Sequence, residues 1–185
     1  SVREIPGGEP LGDFIDLPWR INRGDPSWVP PLRMALRTAL DRSRHPFHRH
    51  ATVAYFLARR GEEPVGRIAA IVNHRHNEYH QDRVGFFGLF ESIRDGRVAQ
   101  ALLDTAVDWL RQRGMTTIRG PVNFSTNEEC GLLVDGFDES PMIMMTYNPP
   151  YYERLLESAG LRREMDLLAY LVSEIREPER LLRAA

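Results

Sequence analysis

The sequence contains no lysine: its 24 basic residues are all arginine, set against 26 acids for a net charge of −2. That absence excludes Schiff-base chemistry, attachment of pyridoxal phosphate and a P-loop lysine. A single cysteine, Cys130, rules out an internal disulfide and any multi-cysteine zinc or iron–sulfur centre. It stands beside the apolar Leu132–Val134 stretch and reads as a packed bystander rather than a nucleophile. No apolar run approaches the ~20 residues of a membrane span, and the opening SVREIPGGEP lacks a signal-peptide core. The expectation is a cytoplasmic chain that engages no membrane. Its arginines are scattered among as many acids, so no basic face is marked out for nucleic acid.

What is present fits one folded domain. The 185 residues are 42% hydrophobic and 27% charged, which is ordinary for a globular chain. Residues 1–172 read as the domain, and 173–185 as a tail or the start of a linker to a further domain. The first ten residues, rich in Gly and Pro, suggest a flexible or edge-pairing arm. A short helix is expected from Leu11 to Asn22, interrupted at Pro18, and a second where Leu32, Leu36, Ala39 and Leu40 share a face. Three strands follow, Ala51–Arg60, Val65–Asn73 and Val84–Phe90, the last two separated by a histidine-rich polar loop. Arg97–Arg113 is the clearest helix, with Val98, Leu102, Ala106, Trp109 and Leu110 as its apolar stripe. Thr116–Gly120 reads as a short strand and Pro141–Tyr147 as another. Asn148-Pro149-Pro150 has the form of a helix start, with asparagine as N-cap. Leu167–Val172 reads as a last strand, and Glu174–Ala185 as a packed helix or the stub of a longer protein.

This order predicts a mixed α/β sheet with helices on both faces. Together with the stretch Arg94-Asp95-Gly96-Arg97-Val98-Ala99 that opens the long helix, it resembles the GNAT-type N-acyltransferases. In that family a loop of pattern Arg/Gln-x-x-Gly-x-Gly/Ala holds the coenzyme A pyrophosphate on backbone N–H groups. Here Arg94 fits the first position and Ala99 the last; Val98 fills the apolar slot. Arg97 replaces the middle glycine, with Gly96 one residue early, and Asp95 brings a negative charge to an anion site. The segment from Asn148 through Tyr151 and Tyr152 to Gly160 resembles the family helix whose tyrosine protonates the departing thiolate. Gly120–Glu128 resembles a segment of GNAT-like bacterial proteins, some longer than this chain.

The resemblance implies a GNAT-like fold, mostly antiparallel, with Val84–Phe90 lying parallel to Thr116–Gly120 and splaying from it at one end. It implies transfer of an acyl group, with acetyl the expected one, from acetyl-CoA or another acyl-CoA as co-substrate, held by Phe90, Arg94, Gly96, Arg97, Val98, Ala99 and Asn148. The acceptor is then a small-molecule or protein amine. Tyr151 or Tyr152 is the expected acid, and a backbone N–H of the Val84–Phe90 strand the oxyanion donor. Glu91 and Glu128 are candidate bases, each also readable as a solvated or helix-capping carboxylate. Asn123, Ser125 and Asn127 either contact substrate or satisfy a tight loop. Met142, Met144 and Met145 read as core rather than as the wall of an acyl pocket. Trp19 and Trp28 either gate the acceptor site or pack the first helices. The six histidines are expected to face solvent or hydrogen-bond rather than to ligate a metal. A homodimer or a second domain is the expected assembly. The alternative function is a catalytically silent GNAT-like binding domain of a larger protein.

Overall fold

Residues 53–58 of the second strand are buried one after another, which a strand with one solvated face never shows. Alternate side chains serve two cores. Val53, Tyr55 and Leu57 face one cluster, while Ala54, Phe56 and Ala58 face the other. The sheet is therefore covered on both sides. The computed structural model describes residues 1–170. They build a five-stranded sheet ordered β1 (Val2–Ile5), β2 (Ala51–Arg60), β3 (Glu63–Asn73), β4 (Val84–Ser92) and β5 (Thr117–Arg119). The first four strands run antiparallel to their neighbours. β5 pairs in parallel with Val84–Phe86 of β4, after the long helix α4 (Gly96–Arg111) has crossed over the sheet.

One face carries α4, whose Ala99, Leu102, Leu103, Ala106, Trp109 and Leu110 are buried, and α5 (Tyr152–Ser158). The other carries α1 (Gly12–Ile21) with Phe14 and Ile15, α2 (Arg33–Leu40) with Leu40, and a 3₁₀ turn at Pro46–Arg49 with Phe47. A Cβ at Gly85 would lie 2.5 Å from Leu110 Cδ2, so only glycine lets α4 seat this closely on β4.

Several elements differ from what the sequence suggests. α1 runs unbroken through Pro18; the Phe14 carbonyl that proline leaves without its helical donor accepts instead from Arg67. The histidine-rich loop is a helix, α3 (His74–His80), because the Asn73 side chain caps it by accepting from the His76 N–H. Pro141–Tyr147 forms no strand. It turns at Met142–Met145 with Met144 at φ 67°, and its methionines are 39–66% exposed rather than core. Asn148 does not cap α5, since its carboxamide accepts from the Leu133 N–H and donates to the Leu133 carbonyl; Tyr151 stands at the cap position. Leu167–Tyr170 is unpaired and exposed among the described residues. The rest of that expected strand, like Glu174–Ala185, lies outside the described residues.

Candidate active site

The far half of β4 departs from regular pairing, and the site is built there. Arg67 faces Glu91 and Ala69 faces Gly88, so β4 carries one residue more than β3 across this interval, a bulge. Leu89 lies in the bulge at φ 49°, and its N–H turns away from the ladder to donate to Asn123 Oδ1 at 2.7 Å. The chain after β5 lies directly against this point, for a Cβ at Gly88 would fall 1.9 Å from the Val122 carbonyl oxygen. The β4–β5 ladder ends at Phe86–Arg119, but the chain stays on β4, since the Val122 N–H donates to the Phe87 carbonyl at 2.8 Å; the expected splay does not open over Phe87–Leu89.

Two residues past the bulge, Glu91 sits 15% exposed across from the 5% exposed Arg67 side chain. Arg67 Nη2 lies 3.5 Å from Glu91 Oε1. The Tyr152 hydroxyl donates to Glu91 Oε2 at 2.6 Å and accepts from the Ser92 N–H at 2.9 Å. Burial pushes the Glu91 carboxyl up, opposed by the Arg67 charge and the Tyr152 hydrogen bond. Burial pulls Arg67 down, and Glu91 opposes that shift in turn. Asn123 Nδ2 donates to Glu129 Oε2 at 2.7 Å, which brings a second carboxylate toward the first.

These groups line one wall of a cleft of about 310 Å³. Its other walls are apolar, from Trp28, Pro30 and Leu36 on one side and Met142, Ile143 and Met144 on the other. A carboxylate beside an arginine, a backbone N–H held only by a side chain and an apolar wall can together take a proton, stabilise a developing oxyanion and hold an apolar chain.

The expected site residues divide into three places. Glu91, Phe90, Asn123, Asn148 and Tyr152 line the cleft. Glu128, Ser125 and Asn127 line a separate cavity of about 510 Å³ with His45, Phe47 and Phe86. There the Ser125 hydroxyl reaches Glu128 at 3.5 Å, and burial pushes Glu128 up while His45 opposes it. The structure does not bring Glu128 to Glu91. The third place is the start of α4. Asp95 caps that helix by accepting from the Arg97 N–H, and it pairs with Arg60 at 2.6 Å. The Val98 and Ala99 N–H groups both donate to the Asp95 carbonyl. The Arg97 side chain is 94% exposed and Gly96 opens on free space. Arg97 therefore does not block the loop.

The two tyrosines also correct the expectation that a phenol aims a free proton into the cleft. Tyr152 is 2% exposed with its hydroxyl committed to Glu91. Tyr151 donates to the Ser92 carbonyl at 2.9 Å, and burial beside Glu91 pushes it up to about 12. Both hydroxyls fasten the end of β4. Sequence reasoning missed Arg67 and Glu129. A signal for Arg67 was present, a lone charge inside the apolar strand Val65-Gly66-Arg67-Ile68-Ala69-Ala70. Cys130 is half-buried, and burial pushes its thiol up, away from nucleophilic use. No helix among the described residues is long and apolar enough to cross a membrane.

Comparison with known proteins agrees with this architecture. The Acetyltransferase (GNAT) family model matches residues 18–128. The bacterial ceramide synthase of Caulobacter vibrioides is 43% identical over 94% of this chain and 46% of its own length. Protein YghO of Escherichia coli is 34% identical over 91% of this chain and 43% of its own. The chain thus spans somewhat under half the length of these curated relatives. Among solved structures, an aminoglycoside acetyltransferase from an uncultured soil metagenome, in complex with sisomicin, superposes with a TM-score of 0.55 at 10% identity. That match covers 95% of this chain and 96% of the other. A probable acetyltransferase gives 0.53 at 14% identity, with 96% and 99% covered. The match covers more than half of the chain and the overall fold agrees with it, and the chain belongs to the GNAT acetyltransferase family.

Proposed function

We propose that the chain transfers an acyl group from an acyl-CoA to the nitrogen of an amine, with Glu91 as the base. One observation carries this reading. A charge-paired carboxylate stands on the cleft wall two residues beyond the out-turned Leu89 N–H. Glu91 takes the proton that the amine loses as it attacks and returns it to the coenzyme A sulfur as the C–S bond breaks, and Tyr152 holds the carboxylate in place. The Leu89 N–H stabilises the oxyanion, once Asn123 releases it.

The family's acyl-CoA supplies the activated carbonyl, and the residues at the start of α4 suit its charge. Arg60 and Arg97 pair with the one acid there, Asp95, while the Arg94 guanidinium lies over the Tyr151 ring. Asp95 keeps the Arg97 amide, so the diphosphate is held by the guanidinium groups of Arg94 and Arg97 and by the open approach at Gly96. The methionine-rich wall favours a fatty acyl chain or a long-chain amine over an acetyl group. The name of the Caulobacter relative supports this, because a ceramide is the N-acyl derivative of a long-chain amine.

The rival reading, a catalytically silent binding domain, draws on Asp95, whose charge stands where the family loop takes an anion. Incubation with palmitoyl-CoA or acetyl-CoA and sphinganine, read by mass spectrometry of the amide, separates the two. The expected result is product from palmitoyl-CoA, reduced on the order of 100-fold or more in Glu91→Gln. Absence of product with either thioester would favour the silent domain.

A further inference from the structure

Arg67 is a buried guanidinium in the middle of β3, and its partners come from two other elements, α1 and β4. Its Nη1 donates to the Phe14 carbonyl of α1 at 2.6 Å. In an unbroken α-helix that carbonyl accepts from the N–H four residues on; here that residue is Pro18, which has none. The proline thus leaves a strong acceptor bare on the buried side of α1, without ending the helix. The Arg67 Cζ lies 4.9 Å from the Phe14 ring centroid, a cation–π contact in the same residue. The other end of the fork, Nη2, reaches Glu91 on β4. The cation is fixed between a carbonyl, a ring and a carboxylate.

We propose that Pro18, Phe14 and Arg67 form a positioning unit for Glu91, in which the carbonyl freed by Pro18 anchors the guanidinium and the guanidinium holds the carboxylate on the cleft wall as a base. This rests on the reading of Glu91 given above. The groups facing Glu91 are Arg67 from β3, Tyr151 at the cap of α5, Tyr152 in its first turn, and Glu129 from the loop after β5. Of these only Arg67 is positive. Without it, burial and the Glu129 charge are opposed by the Tyr152 hydrogen bond alone, and Glu91 holds its proton more tightly than a base should. Arg67 contacts the carboxylate rather than the substrate, so it is a positioning residue.

The test reads Glu91 directly, by carbon-detected NMR titration of its carboxyl group, assigned through Glu91→Gln. Arg67→Gln is expected to raise the Glu91 midpoint by about 1–3 pH units. Arg67→Lys, which retains the charge, should stay near the wild type. Pro18→Ala returns an N–H to the Phe14 carbonyl and loosens the anchor, so a smaller rise in the same direction is expected. This substitution suits a helix interior and keeps the test open should Arg67→Gln fail to fold. An unmoved Glu91 midpoint in Arg67→Gln overturns the proposal whatever the turnover. If that variant does not fold, an unmoved midpoint in Pro18→Ala does so. Full turnover in Glu91→Gln, with the NMR shifts as expected, would instead end the base reading and leave the positioning unit standing.

Discussion

Asn123 holds the Leu89 N–H at 2.7 Å, so the one backbone donor turned out of the β4 ladder by the bulge meets a side-chain amide oxygen. A thioester carbonyl bound there would have to compete with Asn123 for that donor. Asn123→Ala removes that competitor. It is expected to cost about 1–2 kcal/mol of stability through the lost hydrogen bonds, and to tighten palmitoyl-CoA binding in titration calorimetry. Unchanged affinity would place the acyl carbonyl elsewhere.

Gly88 is the point at which the loop after β5 rests on β4. Gly88→Ala would set a methyl 1.9 Å from the Val122 carbonyl oxygen, a backbone atom that cannot yield without moving the loop. A loss of about 3 kcal/mol is expected in urea denaturation. Activity should fall further than stability alone explains, since Asn123 travels with that loop. Wild-type stability would mean that the loop lifts freely.

Arg97 projects outward with 94% of its side chain exposed. Arg97→Ala should change stability by less than about 0.5 kcal/mol. Coenzyme A binding should weaken about tenfold, equivalent to about 1.4 kcal/mol, through loss of a charged contact to the diphosphate. The difference should shrink at high salt. Tighter binding in the variant would show that the arginine obstructs the loop.

His48 gives the fold a pH dependence of known sign. Burial holds its imidazole below the ordinary value of 6.5, while its Nε2 lies against the Ala39 carbonyl. As pH falls below about 6.5 the unfolded chain binds a proton that the folded chain resists, so stability declines toward the lower folded value. His50 and His76 shift in the same direction. The melting temperature should therefore drop as pH falls from about 7 to 5, and His48→Gln should flatten part of that slope. An unchanged slope would assign the effect to the other two.

The strand and long-helix assignments were legible because β2, β3, β4 and α4 carry their period in their own residues, and the sheet's burial on both faces leaves continuous apolar runs. The parallel pairing of β4 with β5 followed from element order. Less legible were positions decided by partners distant in sequence. Asn148 looks like a cap until Leu133 claims its amide, and Pro18 looks like a break until Arg67 answers the free carbonyl. Met142–Met145 has a strand's composition, but it borders a cleft rather than a sheet edge. Glu91 was identifiable as a candidate from its place at the end of β4. Arg67, its counter-charge, lay 24 residues earlier on a strand whose register no local pattern reveals.

Trp28 stands on the wall of the cleft and meets Trp19 of α1 edge-on, with ring centroids 5.7 Å apart. The chain has one further tryptophan, Trp109, packed on the far face of the sheet. One of its three strongest natural fluorophores therefore lines the cleft and a second packs directly behind it. The third is held in a setting apart from the cleft. Any molecule that fills the cleft would change the surroundings of Trp28 before those of Trp109, so emission is the label-free signal in which its occupancy should be read.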